Sequence, residues 1–390
     1  MAHVKTGLEN LCTSPPAKLS GCRLGLLCNS ASVDGDLRHC RDLIARRFPG
    51  KLAALFSPQH GFFAQKQDNM IESDDTLDPS LNIPVFSLYS STRRPTEKMF
   101  AGIDALIVDL QDAGTRVYTF IYTMSYCMEA AKKFGKKVLV LDRPNPVNGL
   151  AVEGNCLSPD CTSFVGRYPI PMRHGLTIGE LALFFNSHYG IGCDLEVIPM
   201  QHWRRDMYFQ DTGLWWVPPS PNLPTPASAA AYPGQVLLEG TNLSEGRGTT
   251  QPFELFGAPF IDARKMLRTL DGSGLPGLHL RETTFEPTAS KWAGQTCHGF
   301  QLHVTDPHRY RPYDTALKLL QTVIAIYGDA FQWKPPPYEY EYHKLPIDLL
   351  IGDKTIRKRI EALESIDDIT ASWQGSLDRF ANASRAFHLY

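Results

Sequence analysis

The first 155 residues alternate between short apolar runs and segments whose apolar positions recur at helical spacing. Some runs are apolar over nearly their whole length, which is typical of strands buried on both faces of a sheet. The predicted strands cover residues 23–29, 52–56, 83–88, 105–110 and 137–141, and the clearest helices cover residues 37–48 and 119–134. Strands joined through helices form right-handed crossovers, so the pattern predicts a Rossmann-like, mostly parallel α/β domain over residues 1–155.

Polar residues follow the ends of these predicted strands. They are Asn29, His60, Asp109 to Asp112, and Asp142 to Asn145. Because the carboxyl ends of parallel strands meet at one edge of a sheet, we expect Asn29, His60, Asp112 and Asn145 to gather there. Open α/β sheets bind their ligands at that edge. No G-x-G-x-x-G motif follows the first strand, so a dinucleotide is not expected.

The pattern changes after about residue 155. Proline-rich loops now separate helical segments from strand-like ones. The predicted helices cover residues 178–186, 313–327 and 353–366, and the predicted strands cover residues 194–200 and 298–304. We therefore predict a smaller α+β domain over residues 156–390.

The most distinctive polar stretch covers residues 238–257. It contains Glu239, Asn242, Glu245 and Arg247, and its glycines interrupt any helix or strand period. Apolar segments on both sides indicate that the loop is held in place, and an arginine can set neighbouring carboxylates apart in pKa. The stretch is either a binding or catalytic loop, which we favour, or an elaborate connection between a strand and a helix.

Composition narrows the classes of partner. The chain has 390 residues, 43% of them hydrophobic and 21% charged, with a formal net charge of -2. That balance predicts neither nucleic acid nor an anionic membrane surface as a partner. Cys156 and Cys161 have no second pair or histidine run nearby to complete a zinc site, so no metal is expected. No apolar run has the length of a signal peptide or a membrane span, so we expect a cytoplasmic protein with reduced thiols.

Two of the strand ends carry candidate acids and bases. His60 lies where a strand meets a glycine-containing turn, and a neutral imidazole there can act as acid, base or hydrogen-bond donor. The alternative is a structural histidine. Asp112 is followed closely by Arg116, and the alternative to a role in ligand binding or catalysis is an ion pair within this loop.

The segment from Asp142 to Asn148 combines two prolines with several amides. It predicts a rigid polar rim suited to sugar hydroxyls, with Asp142 and Asn145 as candidate ligands. Simple loop closure, with Asp142 paired to Arg143, is the alternative.

A further polar group precedes the predicted helix at residue 178. Arg173 and His174 are placed to bind an anionic group just before the helix begins. Thr177, with Glu180 three residues later, has the pattern of a capping box, so Glu180 is predicted to cap the helix rather than to catalyse.

No familiar nucleophile motif occurs in the chain: there is no G-x-S-x-G, no H-E-x-x-H and no Walker A sequence. What remains is a set of carboxylates, amides, aromatic residues and arginines around a predicted cleft. That inventory suits hydrolysis of a glycosidic bond, which needs one protonated and one ionised carboxyl group.

Six motifs occur in the order found in a known family. They are Ser57-Pro-Gln-His-Gly-Phe62, Asp109-Leu-Gln-Asp-Ala-Gly-Thr-Arg116, Leu141-Asp-Arg-Pro-Asn-Pro146, Pro171-Met-Arg-His-Gly175, Pro219-Ser-Pro-Asn-Leu-Pro224 and the stretch 238–257. From about residue 22 onward, the chain resembles the exo-β-N-acetylmuramidases of the NamZ type. The resemblance implies a Rossmann-like domain, a second domain and an active site between them. It also implies removal of terminal N-acetylmuramic acid from bacterial peptidoglycan fragments, without a metal or organic cofactor.

One position departs from the family pattern. The family commonly carries a glutamate immediately before the histidine of the Pro-x-His-Gly motif, whereas this chain has Gln59. An amide cannot transfer a proton as a carboxyl group does. Three hypotheses follow: a glycosidase whose acid is another carboxylate, an enzyme with a different reaction, or a muropeptide-binding protein that does not cut its ligand.

For the enzyme hypothesis, Glu239 and Glu245 are the leading candidates for the acid, and Asp112 and His60 are further catalytic candidates. The candidates for substrate binding are Gln59, Arg116, Asp142, Asn145, Arg173, His174, Asn222, Asn242 and Arg247. N-acetylmuramic acid differs from N-acetylglucosamine by a lactyl carboxylate, which an arginine can bind through two hydrogen bonds. Arg116, Arg173 and Arg247 are the candidates for that contact.

Overall fold

A computed structural model of the chain describes residues 3–66, 70–90, 92–270 and 274–390. Within these ranges the strands form three sheets. The strands are β1 (Leu24–Cys28), β2 (Leu52–Ser57), β3 (Thr76–Leu77), β4 (Pro84–Ser87), β5 (Ala105–Asp109), β6 (Lys137–Leu141), β7 (Glu153–Cys156), β8 (Pro171–Arg173), β9 (Asp194–Ile198), β10 (Leu255–Ala258), β11 (Leu278–Phe285) and β12 (Cys297–Val304).

The α-helices surround these sheets. They are α1 (Gly7–Thr13), α2 (Cys40–Arg47), α3 (Glu97–Phe100), α4 (Phe120–Lys133), α5 (Ile178–Ser187), α6 (Pro226–Gln235), α7 (Ala263–Leu270), α8 (Pro312–Tyr327), α9 (Pro346–Ile351), α10 (Lys354–Glu361) and α11 (Ile366–Ser384). The predicted capping box begins α5: the Thr177 hydroxyl accepts a hydrogen bond from the Glu180 amide, and the Glu180 carboxylate accepts one from the Thr177 amide. That prediction is confirmed.

The central sheet has the strand order β3-β4-β2-β1-β5-β6-β9. Every neighbouring pair is parallel except β3 with β4, which confirms the predicted mostly parallel sheet. The last strand, β9, comes after residue 155, so the sheet extends into the part of the chain for which we expected a second domain. The boundary at residue 155 stays a prediction.

Side chains of the inner strands alternate between two hydrophobic clusters. In β5, Ala105 and Ile107 pack with α1 and α2 on one face, whereas Leu106 and Val108 pack with α4 and α5 on the other. Successive strand residues point to opposite faces, so a strand covered on both sides is apolar at every position. This is the physical basis of the continuous apolar runs in the sequence.

The remaining strands form two antiparallel sheets. Strands β10, β12 and β11 make a three-stranded sheet, and β7 pairs with β8. The larger hydrophobic cluster continues from the α4 face of the central sheet into this region and includes residues of α8, α9 and α11. The architecture is therefore an α/β layer joined to an α+β region through a shared core.

Parallel pairing of β1, β2, β5 and β6 places their carboxyl ends at one edge of the sheet. Asn29, His60, Asp112 and Asn145 follow these ends in the chain, and the gathering of their side chains into one group stays a prediction. All nine cysteines carry free thiols. Among the described helices, none combines the length and apolar character needed to cross a bilayer.

Candidate active site

Two adjoining cavities lie where the strand ends meet the α+β region. The small cavity, of about 40 Å³, is lined by Gln59, His60 and Asn222 among others. The large cavity has a volume of about 290 Å³, close to the roughly 300 Å³ at which small-molecule sites begin. Their shared lining residues are Glu239, Arg247, Tyr338 and Glu339. The two glutamates therefore face both cavities.

Glu239 lies on a 3-10 helix, Val236–Gly240, that continues directly from α6. This helix packs so closely against α9 that a Cβ atom on Gly240 would lie 2.8 Å from the Ile347 backbone nitrogen. The Glu239 side chain is 6% exposed. Oε1 accepts a hydrogen bond from Arg247 at 2.6 Å, and Oε2 accepts one from the Tyr338 hydroxyl at 2.7 Å.

Arg247 and Lys291 surround the two glutamates of this loop with positive charge. The Arg247 Nε atom lies 3.3 Å from Glu245 Oε1, and the Lys291 ammonium lies 2.6 Å from Glu245 Oε2. Burial by itself raises the pKa of Glu239, but the charge and hydrogen bond of Arg247 outweigh it and leave that pKa below its usual value. Glu239 is therefore held ionised.

Glu339 has the opposite environment. It is 3% exposed, and Gln59 Nε2 donates to its Oε1 at 3.0 Å while the Tyr89 hydroxyl donates to its Oε2 at 2.6 Å. Burial raises the pKa of Glu339, and the negative charge of Glu239 raises it further. Hydrogen bonds from Tyr89 and Gln59 oppose the shift without cancelling it. Of the two carboxyl groups, Glu339 is the one suited to hold a proton.

Gln59 is fixed by hydrogen bonds at both ends of its amide. Its Oε1 accepts from the Thr119 hydroxyl at 2.7 Å, so its Nε2 must face Glu339 and Tyr89. The amide at this position thus acts as an oriented donor to the neighbouring carboxyl group.

His60 also lines the small cavity, and its backbone is in the left-handed region with φ 72°. Its Nδ1 lies 2.6 Å from the Lys66 carbonyl oxygen, so this nitrogen carries the proton and donates it. In the neutral ring Nε2 is then the accepting nitrogen. Left-handed backbone is uncommon for residues other than glycine and recurs at functional sites.

Comparison with known proteins identifies the family. Residues 24–227 match the profile described as the N-terminal part of exo-β-N-acetylmuramidase NamZ, and residues 230–390 match that of its C-terminal part. The chain belongs to the NamZ family. A relative in Bacillus subtilis (strain 168), named peptidoglycan β-N-acetylmuramidase NamZ, is 43% identical over 99% of this chain and 91% of its own.

Two solved structures of DUF1343 family proteins from Bacteroides fragilis NCTC 9343 share the fold. One has a TM-score of 0.89 and 35% identity, and the match covers 100% of both chains. The other has a TM-score of 0.79 and 29% identity, and the match covers 100% of this chain and 99% of that one. These similarities extend over the whole NamZ-type fold, including both sides of the cavities.

Several candidates from the sequence lie away from the cavities. The Arg116 guanidinium is fully buried and donates to the carbonyl oxygens of Asn155, Ile170, Leu350 and Ile351. It joins the two-stranded sheet to α9. The geometry therefore assigns Arg116 a structural role and gives no support to its contact with a substrate carboxylate.

Arg173 is likewise buried, and it bonds the Val147 carbonyl oxygen and the Tyr208 hydroxyl. Asn145 bonds the backbone of Leu176 and Val147, so both ends of its amide hold loops together. Neither residue lines the two cavities. Both stabilise the edge of the sheet beneath the site.

Asp142 lies at the end of β6 and holds the start of α5. It accepts hydrogen bonds from the Thr177 hydroxyl at 2.8 Å, the Gly179 amide at 2.7 Å and the Tyr390 hydroxyl at 2.7 Å. Burial raises its pKa to about 7. The Arg143 guanidinium pairs with Asp109 rather than with Asp142, whereas the Arg143 backbone amide donates to Asp142 Oδ1 at 3.0 Å.

Asp112 and His174 face each other below the cavities. The His174 Nε2 atom lies 3.2 Å from Asp112 Oδ2, and the Gly114 amide donates to the same oxygen at 2.8 Å. His174 Nδ1 accepts from the Leu176 amide, so Nε2 carries the proton. This pair is buried and does not line either cavity.

Of the candidates on loops, some line a cavity and others hold the loops in place. Asn222 lines the small cavity, and Glu245 lines the large one. Asn242 instead exchanges hydrogen bonds with Ala330 and Gln332 and accepts one from the Trp292 indole, so it anchors the loop. The stretch 238–257 thus contains residues that line the cavities and residues that hold the stretch itself in place.

Sequence reasoning missed Glu339, its neighbour Tyr338, the hydroxyl donor Tyr89 and the cation Lys291. The local signal for the first two is residues 335–342, where three prolines precede alternating tyrosine and glutamate. Such a run is unusual in composition, but nothing in it indicates that Glu339 meets Gln59. For Tyr89 and Lys291 we find no sequence signal.

One group of potential metal ligands occurs among the described residues. The ligating atoms of Cys28, His39 and Cys40 lie within 4.8 Å of one another. Both nitrogens of His39 already have partners, since Nε2 lies 2.8 Å from the Asn29 carbonyl oxygen and Nδ1 accepts from the Arg41 amide. Cys28 and Cys40 belong to the hydrophobic cluster on the α1 face. The group therefore fits a core contact better than a metal centre.

Proposed function

We propose that this protein is an exo-acting β-N-acetylmuramidase that releases terminal N-acetylmuramic acid from peptidoglycan fragments. The observation that supports this proposal most directly is the pair of buried carboxyl groups, Glu239 and Glu339, which face the same cavities and have opposite pKa shifts. Glycoside hydrolysis needs one carboxyl group that donates a proton and one that is ionised. Membership of the NamZ family supports the substrate class.

In this proposal Glu339 is the general acid. A glycosidic oxygen leaves poorly unless it is protonated as the bond to the anomeric carbon breaks. Burial keeps the Glu339 proton available at higher pH, and Gln59 and Tyr89 fix the direction of its carboxyl group. The acid therefore lies beside Gln59, although residue 59 itself cannot supply a proton.

Glu239 is then the ionised carboxylate. It either stabilises positive charge that develops on the sugar ring or reacts at the anomeric carbon, directly or by activating water. The sequence favoured Glu239 and Glu245 as the proton donor, but Arg247 holds the pKa of Glu239 low, and two cations contact Glu245. These contacts support moving the acid role to Glu339.

His60 and Asn222 line the small cavity beside the two glutamates, together with Tyr118 and Tyr232, whose rings meet edge to face. With a volume of about 40 Å³ this cavity does not hold a sugar ring, so the proposal places the terminal sugar in the adjoining large cavity of about 290 Å³.

The test is hydrolysis by the purified protein of a disaccharide with β-linked N-acetylmuramic acid at its non-reducing end. We expect free N-acetylmuramic acid as the product, detected by mass spectrometry, and no release from the reducing end. Calorimetry with free N-acetylmuramic acid accompanies the assay. Saturable binding without any turnover would contradict the enzyme and support a muropeptide-binding protein.

A further inference from the structure

Side chains of both charges line the large cavity, and the acidic ones are Glu239, Glu245 and Glu339. Three cationic side chains line it: Arg247, Lys291 and Lys334. Arg247 contacts both Glu239 and Glu245, and Lys291 contacts Glu245 at 2.6 Å. These ion pairs occupy Arg247 and Lys291, so Lys334 is the cation of this cavity to which the described residues give no ion pair.

The Lys334 ammonium group forms no ion pair with any carboxylate in the described ranges, and it lies 5.8 Å from the centroid of the Tyr338 ring. The residue is exposed to solvent at the cavity wall. An ammonium group on a flexible stem is a point charge that can pair with an entering anion.

The backbone around Lys334 is held rigidly even though its side chain is exposed. Its amide donates to the Gly240 carbonyl oxygen at 2.9 Å, directly beside Glu239, and the preceding Trp333 bonds Glu361 through its indole nitrogen at 2.7 Å. The position of Lys334 is therefore tied to the loop that carries the ionised carboxylate.

We propose that Lys334 binds the lactyl carboxylate of N-acetylmuramic acid and so distinguishes it from N-acetylglucosamine. This inference rests on the proposed function, because it places the terminal muramic acid in the large cavity. The arginines considered from the sequence do not serve, since Arg116 and Arg173 bond buried groups elsewhere and Arg247 is shared between two glutamates. Lys334, which has no ion pair among the described residues, matches the single negative charge of the sugar.

The test compares Lys334→Met with the native protein on a chromogenic β-N-acetylmuramide and on its lactyl methyl ester. A hydrogen bond to a charged group is worth enough that we expect KM for the acid to rise by about ten- to a hundredfold. We expect kcat to change little, because the lactyl group does not react. On the uncharged ester the two proteins should have the same KM, and Lys334→Arg should recover most of the affinity for the acid.

Lys358→Met is the matched control, since it removes the same charge from an exposed position on α10. An unchanged KM of Lys334→Met for the acid, or an equal loss on acid and ester, would overturn the proposal. If the native protein has no turnover, calorimetry tests the role of Lys334 in binding independently of the proposed hydrolase activity. Selective binding of N-acetylmuramic acid over N-acetylglucosamine that disappears in Lys334→Met would keep this site while refuting the hydrolase.

Discussion

The edge of the central sheet and the adjoining cavities are both buried, polar and rich in charge, yet they serve different purposes. At the edge, Arg143 and Arg116 have their main hydrogen bonds within the protein. Arg143 binds Asp109 through two hydrogen bonds of 2.5 and 2.8 Å, and Arg116 donates to four carbonyl oxygens. No residue of that set faces either cavity.

In the cavities, Glu239 and Glu339 also have a donor to each oxygen, but they border open volume and their pKa values move in opposite directions. Charge density is therefore a poor guide to catalysis in this fold. A cavity beside two carboxyl groups with unequal proton affinity is a better indicator of a catalytic site, because that combination permits proton transfer to a bound molecule.

The largest expected effect is that of Glu339→Gln. Loss of the general acid should lower kcat on the natural disaccharide by about a hundred- to ten-thousandfold. A chromogenic substrate with a good leaving group should lose much less, because its oxygen needs little protonation. Steady-state kinetics on both substrates measures the difference. Glu97→Gln, at an exposed position of α3, is the control; equal losses on the two substrates would remove Glu339 from the acid role.

Glu239→Gln should also lower kcat, by about a hundred- to a thousandfold, because the ionised carboxylate stabilises charge in the transition state. Here we expect losses that do not shrink as the leaving group improves. The same two-substrate assay measures them. A variant that recovers on the activated substrate would show that Glu239, and not Glu339, delivers the proton.

At the sheet edge the expected change is in stability. Arg116→Met leaves several buried carbonyl oxygens without a donor, so the free energy of unfolding should fall by about 3 kcal/mol or more. Urea denaturation measures it. Because Arg116 does not face the cavities, kcat and KM per folded molecule should stay near those of the native protein. A selective rise in KM for muramic acid without a loss of stability would return Arg116 to the list of ligands.

The smallest effect concerns pH. In the proposed mechanism, activity needs Glu339 protonated and Glu239 ionised, so the rate should fall as pH rises through the pKa of Glu339 and fall as pH drops through that of Glu239. In Gln59→Glu a donor to Glu339 is replaced by a second carboxyl group, which should raise the pKa of the pair and move the alkaline limb upward by about one unit or more.

The pH dependence of kcat/KM measures this limb. Gln59→Met removes the donor without adding charge, so its limb should move up by less than that of Gln59→Glu. An alkaline limb that stays in place in both variants would mean that Glu339 does not set it.

The parallel sheet could be predicted from sequence because each strand carries its own signal of continuous apolar residues. Helix α6 could not, since Pro233 and Gly234 oppose a helix locally. Close packing against α8 accounts for the helix instead, since a Cβ atom on Gly234 would lie 2.0 Å from the Pro312 carbonyl oxygen at the start of α8. Strand β9 was found, but its place in the central sheet depends on pairing with β6 and is not visible in its residues.

In the candidate site, too, some features are visible in the local sequence and others depend on contacts formed by folding. The stretch 238–257 carries its charges within twenty residues, so its importance was apparent from local sequence. The roles of Glu239 and Glu339 were not, because each depends on partners brought together only by folding. Substrate binding by Arg116 and Arg173 stays a prediction, and the sequence does not show that their guanidinium groups donate to buried carbonyl oxygens.

The hydrogen bond between Gln59 and Glu339 joins residues 280 positions apart, and that between Tyr89 and Glu339 joins residues 250 apart. Contacts of such separation require the closure of a very long loop and form late, after local structure. In a chain emerging from the ribosome, the parallel sheet can therefore form well before Glu339, the proposed general acid, is in place. Hydrolytic activity should therefore appear in one late step of folding. An activity assay during refolding would detect when these long-range contacts form.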